Sequence, residues 1–124
     1  MSGRRKRILV IEDEPAVRDN VLRFLELEGY QTAFAKDGLE GVASALRAPP
    51  DLILCDLNMP GLDGFGVLAR LRAEPATAAV PFVFLTASAQ IEDAVTGYKL
   101  GASEYVTKPF NFAVLASIIE QRLA

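Results

Sequence analysis

The sequence has no histidine, no tryptophan and a single cysteine among its 124 residues. Lacking histidine, it can form no Ser-His-Asp triad, no Cys-His pair and no imidazole metal ligand. One cysteine makes neither an internal disulfide nor a Cys-x-x-Cys metal site. Cys55 stands in the apolar run Leu52-Ile53-Leu54-Cys55 and reads as a small buried hydrophobe. Thiol usage of this kind fits a reducing compartment, so a cytoplasmic location is expected.

Long apolar runs are also missing. The longest uncharged stretch, Pro75 to Ile91, holds two prolines together with Thr and Ser, and no membrane span is expected. Arg4, Arg5, Lys6 and Arg7 crowd the start, yet only Ile8 to Ile11 follow before Glu12. That run is far too short for the apolar core of a signal peptide. Residues 1–6 are expected to be a basic, flexible tail. Residues 8–124 hold nine basic and sixteen acidic residues, a net −7. A body of that charge repels nucleic acid and anionic membrane, so neither is an expected partner.

What is present is a core. Hydrophobic residues make up 51% of the chain, and a chain of this length buries about two-thirds of its unfolded surface. With no repeat, no low-complexity segment and no Gly/Ser-rich linker, one domain over residues 1–124 is expected.

Short apolar runs alternate with helical patterns. The runs are Ile8-Leu9-Val10-Ile11, Thr32-Ala33-Phe34-Ala35, Leu52-Ile53-Leu54-Cys55, Phe82-Val83-Phe84-Leu85 and Tyr105-Val106-Thr107. The first, third and fourth are apolar without alternation, as central parallel strands covered on both faces must be. The second and fifth are shorter or more mixed and suit sheet edges. Between them, Pro15 opens a helix with the stripe Val17, Val21, Leu22 and Leu25, and Gly29 stops it. Asp37 and Glu40 have capping-box spacing for a helix to about Arg47, ended by Pro49-Pro50. Asp63 caps a helix carrying Phe65, Leu68 and Leu71. Ile91 to Leu100 forms a fourth before Gly101, and Asn111 caps a fifth that runs to about Leu123.

Five β-α repeats imply an α/β fold, a parallel sheet with helices on both faces. Right-handed crossovers and apolar central strands lead to the order 2-1-3-4-5, with a switch point between strands one and three. Ligands of such sheets bind at the carboxyl ends of the strands beside that point. There the sequence places Glu12-Asp13-Glu14 after strand one, Asp56 after strand three, Thr86 after strand four and Lys108 after strand five. Clustered carboxylates raise one another's pKa unless a cation intervenes. Hard oxygen ligands suit Mg²⁺. A metal and an ammonium around an exposed Asp make a phosphoryl-transfer site, and Asp can itself become the aspartyl phosphate. Singly, each residue has a plain structural use: Asp13 as a helix cap, Asp56 as a turn starter, Thr86 in a strand-end turn, Lys108 on the surface. Four suitable residues at four strand ends argue against coincidence.

These segments resemble the response regulator receiver domain. The resemblance runs from about Arg7 to Leu123. It rests on Ile8-Leu9-Val10-Ile11-Glu12-Asp13-Glu14, on Asp51 through Cys55-Asp56-Leu57-Asn58-Met59-Pro60-Gly61-Leu62-Asp63-Gly64, on Leu85-Thr86-Ala87, and on Gly101-Ala102 with Tyr105-Val106-Thr107-Lys108-Pro109-Phe110. It implies a flavodoxin-like (βα)5 fold. Receivers are a standard instance of the doubly wound order, so the strand order and the resemblance are not independent inferences.

By that resemblance Asp56 is the phosphoacceptor. Asp13, Asp56 and the Asn58 backbone carbonyl would ligate Mg²⁺ or Mn²⁺, with Glu12 acting on the same ion. Lys108 would pair with Asp56 and then with the phosphoryl group. Thr86 would turn its hydroxyl onto a phosphoryl oxygen, Tyr105 would be the rotating aromatic of the switch, and Lys108-Pro109 would be a cis peptide. The expected function is a phosphorylation-activated switch of a two-component system, not an enzyme with separate substrate turnover. Its donor would be a histidine kinase, a histidine phosphotransfer protein or a small acyl phosphate. Its output would be a protein target or a second copy, met through the face made by the fourth helix, fifth strand and fifth helix. Val114, Leu115, Ile118 and Ile119 cannot all face the sheet, so helix five is expected to show apolar surface. Ser103 stands where dimerising receivers often carry an acid, and no Arg or Lys follows in helix five until Arg122. A charge-paired dimer is therefore not expected. Glu12 replaces a commoner Asp, and Asn58 and Ser88 lie where the family tunes water access.

Rival readings remain. A haloacid-dehalogenase-like phosphatase wants an acid two residues after its nucleophile, where Asn58 stands, and room for a cap. A flavodoxin-like binding module wants a phosphate-cradling loop after strand one, where Glu12-Asp13-Glu14 would repel phosphate. A receiver acting without phosphorylation keeps the same residues. A stand-alone regulator is the plain expectation, and a fragment of a longer protein would look the same.

Overall fold

The computed structural model describes residues 5–124. Four positions of the expected basic tail, Met1 to Arg4, lie outside the described residues. In chain order the elements are β1 (Arg7–Ile11), α1 (Pro15–Leu27), β2 (Gln31–Ala35), α2 (Gly38–Arg47), β3 (Leu52–Cys55), α3 (Gly64–Arg72), β4 (Phe82–Thr86), α4 (Ile91–Lys99), β5 (Glu104–Thr107) and α5 (Phe112–Leu123). The strands form one sheet of order β2-β1-β3-β4-β5, and every pair is parallel. This is the expected α/β architecture and strand order. Boundaries differ slightly: β1, β2 and β5 each begin one residue earlier, and Thr86 is the last residue of β4 rather than the residue after it. The Lys6 carbonyl accepts from the Gln31 N–H at 2.9 Å, so the ladder starts just before Arg7.

Alternate residues of the central strands feed two cores. Ile8, Val10, Leu52, Leu54, Val83 and Leu85 pack with Val21 and Leu25 of α1 and with Leu115 and Ile119 of α5. Leu9, Ile11, Ile53, Cys55, Phe82 and Phe84 pack on the other face with Val42 and Ala45 of α2 and with Val67, Leu68 and Leu71 of α3. Both faces of β1, β3 and β4 are covered, which is why these strands carry no polar alternation. Burying one such side chain is worth about 1.5–3 kcal/mol, so these two cores dominate the stability of the sheet. In α5, Leu115 and Ile119 are fully buried while Val114 is exposed and Ile118 half-buried, so the helix does present apolar surface.

Three helix starts follow the sequence. Asp37 accepts from the Glu40 N–H at 2.8 Å, Asp63 from the Gly66 N–H at 2.9 Å, and Asn111 from the Ala113 N–H at 2.7 Å. The start of α1 differs. Glu14 is its N-cap residue, with no side-chain cap bond, and Pro15 opens the first turn. Asp13 is thus not spent on capping. Gly64 allows a close approach: a Cβ there would lie 2.5 Å from the Asp56 carbonyl oxygen and 2.9 Å from the Leu57 Cα. No helix among the described residues is long and apolar enough to cross a membrane.

Candidate functional site

Strand register brings the acids together. Ile11 of β1 pairs with Cys55 of β3, and the Asp56 N–H donates to the Ile11 carbonyl at 3.0 Å. Residues 12 and 56 therefore leave adjacent strands side by side at the carboxyl edge. Carboxylate oxygens of Glu12, Asp13 and Asp56 all lie within 4.8 Å of one another. Glu12 and Asp56 are buried, at 4% and 6% exposure, and Asp13 is half-buried. At the β4–β5 side, the Lys108 N–H donates to the Thr86 carbonyl at 2.8 Å, which carries the lysine to the same edge. Lys108 Nζ donates to Glu12 Oε1 at 2.9 Å and stands 3.8 Å from Asp56 Oδ2. The lysine thus engages Glu12 more closely than Asp56, the partner the resemblance implied. Glu12 has one more methylene than Asp and reaches farther into the cluster.

Every polar atom of Glu12 is engaged. Its N–H donates to the Ala35 carbonyl at 3.1 Å, its Oε2 accepts from the Glu14 N–H at 3.3 Å, and its carbonyl accepts from Arg18 Nη1 at 3.1 Å. Burial, reinforced by the nearby Asp56 charge, still pushes the Glu12 carboxyl up to about 7 against the pull of Lys108. Cys55 is fully buried, its Sγ–H donates to the Asp56 carbonyl at 3.1 Å, and burial raises its pKa. The thiol is held as a core group.

Around this centre lie the remaining expected residues. Asn58 is exposed on the loop after β3. The Lys108–Pro109 bond is cis. Thr86 is fully buried, and its Oγ1 accepts from the Ser88 N–H at 3.2 Å. Tyr105 packs its ring on Phe84 with centroids 5.7 Å apart and donates its hydroxyl to the Ser88 carbonyl at 3.0 Å. Ser88 Oγ donates to Asp93 of α4 at 2.5 Å. Ser88 thus joins Thr86, Tyr105 and the first turn of α4, a hub that sequence spacing alone does not announce. Arg18 was equally hidden, because a helix residue bonding back to a strand-end carbonyl leaves no motif.

Three hard carboxylates in one cluster, with burial making the charge of Glu12 costly, fit a small divalent cation such as Mg²⁺. The α4 and α5 side of the molecule is distinct. Ile91, Val95 and Tyr98 are exposed along α4, at helical spacing. Arg122 of α5 closes on its own chain, donating to Glu104 at 2.6 Å and to the Ser103 carbonyl at 3.0 Å.

Comparison with known proteins gives a consistent result. Residues 8–120 match the family described as the response regulator receiver domain. The chain is 48% identical over 105 residues to the DNA-binding dual master transcriptional regulator RpaA of Synechocystis, covering 85% of this chain and 44% of that protein. It is 37% identical to Protein PilH of Pseudomonas aeruginosa, over 95% of this chain and 98% of PilH. Among solved structures, the receiver domain of the sensor histidine kinase PA1611 from Pseudomonas aeruginosa, described with a magnesium ion in its active-site cleft, superposes with a TM-score of 0.90. That pair shares 32% identity over 97% of this chain and 98% of the other. The chain spans about half the length of the first curated relatives it matches.

Proposed function

The chain belongs to the response regulator receiver domain family, and from that premise we propose that it is a phosphorylation-activated switch whose phosphoacceptor is Asp56. The observation that carries this reading is the carboxylate trio of Glu12, Asp13 and Asp56 with Lys108 beside two of its members.

Asp13, Asp56, the Asn58 carbonyl and Glu12 would hold Mg²⁺ or Mn²⁺. When bound, the ion neutralises phosphoryl oxygens and lets an anionic donor approach an acidic pocket. One Asp56 carboxylate oxygen attacks phosphorus. The bond from phosphorus to the donor's imidazole nitrogen breaks, the electron pair stays on that nitrogen, and an aspartyl phosphate is left on the chain. Lys108 is the mobile cation: it leaves Glu12 and faces the new phosphoryl oxygens. A chain without histidine cannot be its own phosphohistidine donor. A histidine kinase, a phosphotransfer protein or a small acyl phosphate supplies the group.

Phosphorylation adds about −1.5 to −2 charge and three strong acceptor oxygens. The Thr86 hydroxyl can donate to one of them. Because Thr86 also accepts from Ser88, and Ser88 accepts from Tyr105, movement of Thr86 is felt by β5 and α4. The α4–β5–α5 face then shifts between two populations and meets a protein target or a second copy. Arg122 is committed within the chain, so that contact relies on the apolar residues of α4 and α5. The acidic body makes direct nucleic-acid contact by this domain unfavourable, and any DNA binding falls to another module. We place the protein in the cytoplasm.

The test is incubation with acetyl phosphate and Mg²⁺ followed by intact mass. One added phosphoryl group is expected, lost with EDTA and with Asp56→Ala. An unlabelled chain would mean an interaction module that works without phosphorylation. Continued turnover of assorted phosphate esters would mean a phosphatase.

A further inference from the structure

The Asp13 carboxylate receives no hydrogen bond and no ion pair among the described residues, although it lies in the cluster. With no polar partner on its oxygens, its placement leans on the backbone that carries it. The peptide that precedes it is the Glu12–Asp13 unit, and the carbonyl of that unit accepts from Arg18 Nη1 at 3.1 Å. A peptide is planar, so holding its carbonyl fixes the plane from which Asp13 departs. Arg18 is itself held on two sides. Its backbone N–H donates to the Glu14 carbonyl at 3.0 Å, and its guanidinium carbon lies 4.9 Å from the centroid of the Phe34 ring. Phe34 is a large aromatic left 54% exposed on edge strand β2. Arg18 Nε is buried without a partner, so the guanidinium is not placed to satisfy all its own donors.

We propose that Arg18, braced on Phe34, is the positioning residue that aims Asp13 at the metal site. This rests on reading the acidic cluster as a Mg²⁺ centre. A rival role for Arg18 is simple charge. The two roles differ in sign: removing a cation near three carboxylates strengthens Mg²⁺ binding, whereas releasing the Asp13 peptide weakens it.

The experiment is calorimetric titration of the whole chain with Mg²⁺, paired with acetyl-phosphate labelling rates and the NMR shift of the Asp13 amide. For Arg18→Ala we expect Mg²⁺ affinity to fall about 10-fold, the scale of lost outer-shell orientation. The maximal labelling rate at saturating Mg²⁺ should fall far less, and the Asp13 amide should move. Arg18→Lys keeps the charge without the flat fork and should recover only part of the loss. Phe34→Leu should weaken binding in the same direction. Where Arg18→Ala does not fold, Arg18→Met keeps the stem over Phe34 and removes the donors. Unchanged or tighter Mg²⁺ binding in these variants, with wild-type binding intact, overturns the positioning role alone. A wild-type chain that binds no Mg²⁺ overturns the metal-centre reading and this proposal together.

Discussion

Lys108 and Glu12 are 96 positions apart in sequence and meet in a 2.9 Å ion pair, closer than the 3.8 Å between Lys108 and Asp56. Glu12, not Asp56, holds the lysine. Replacing Lys108 by Ala leaves two buried carboxylates facing each other without their cation. The pair is largely but not wholly buried, so a loss of about 2 kcal/mol is expected, below the 3–5 typical of fully buried pairs. Urea unfolding in EDTA measures it. Saturating Mg²⁺ should restore much of the loss, because the ion replaces the missing charge.

The raised Glu12 pKa sets a pH dependence. Its ordinary value is 4.5 and burial lifts it to about 7 in the folded chain. Between those values the folded state binds more protons than the unfolded state. Stability therefore falls as pH rises through that window, and the full penalty is present above it. Urea midpoints in EDTA should be lower at about pH 8 than at about pH 5 in this respect, and Glu12→Gln should flatten the difference. A Glu12→Gln chain with the wild-type slope would place the titration elsewhere.

Ser88 ties three elements, and its bonds can be cut separately. Ser88→Ala removes only the bond to Asp93, since the bonds to Thr86 and Tyr105 use its backbone. A cost of about 1 kcal/mol is expected, localised at α4. Hydrogen exchange should quicken in the first turn of α4, around Glu92 to Val95, and stay unchanged in β1. Tyr105→Phe cuts the carbonyl bond and should loosen the 87–90 loop itself.

Gly64→Ala should be among the most damaging small substitutions. The new methyl would meet the Asp56 carbonyl at 2.5 Å and the Leu57 Cα at 2.9 Å, both main chain. Backbone cannot step aside as a side-chain tip can, so a loss of about 2 kcal/mol or more is expected. The Asp56 amide should shift in NMR spectra, and phosphorylation should slow even where the fold survives.

Apolar runs without alternation identified β1, β3 and β4 as central strands, because a strand covered on both faces has no solvent side to mark. Asp37, Asp63 and Asn111 announced their helices by local capping chemistry, which needs only neighbours in sequence. The residue types at the strand ends, Glu12, Asp13, Asp56, Thr86 and Lys108, were legible for the same reason. Their partners were not. Which acid Lys108 binds depends on the Ile11–Cys55 register and on the one extra methylene of Glu12. Arg18 meets the Phe34 ring only because α1 packs against β2, and Ser88 becomes a hub only when β5 and α4 close around its loop. Composition and periodicity determined the sheet and the chemistry at its edge. The tertiary structure decided the pairings, because charges and carbonyls act over a few ångströms and only packing brings distant positions that near.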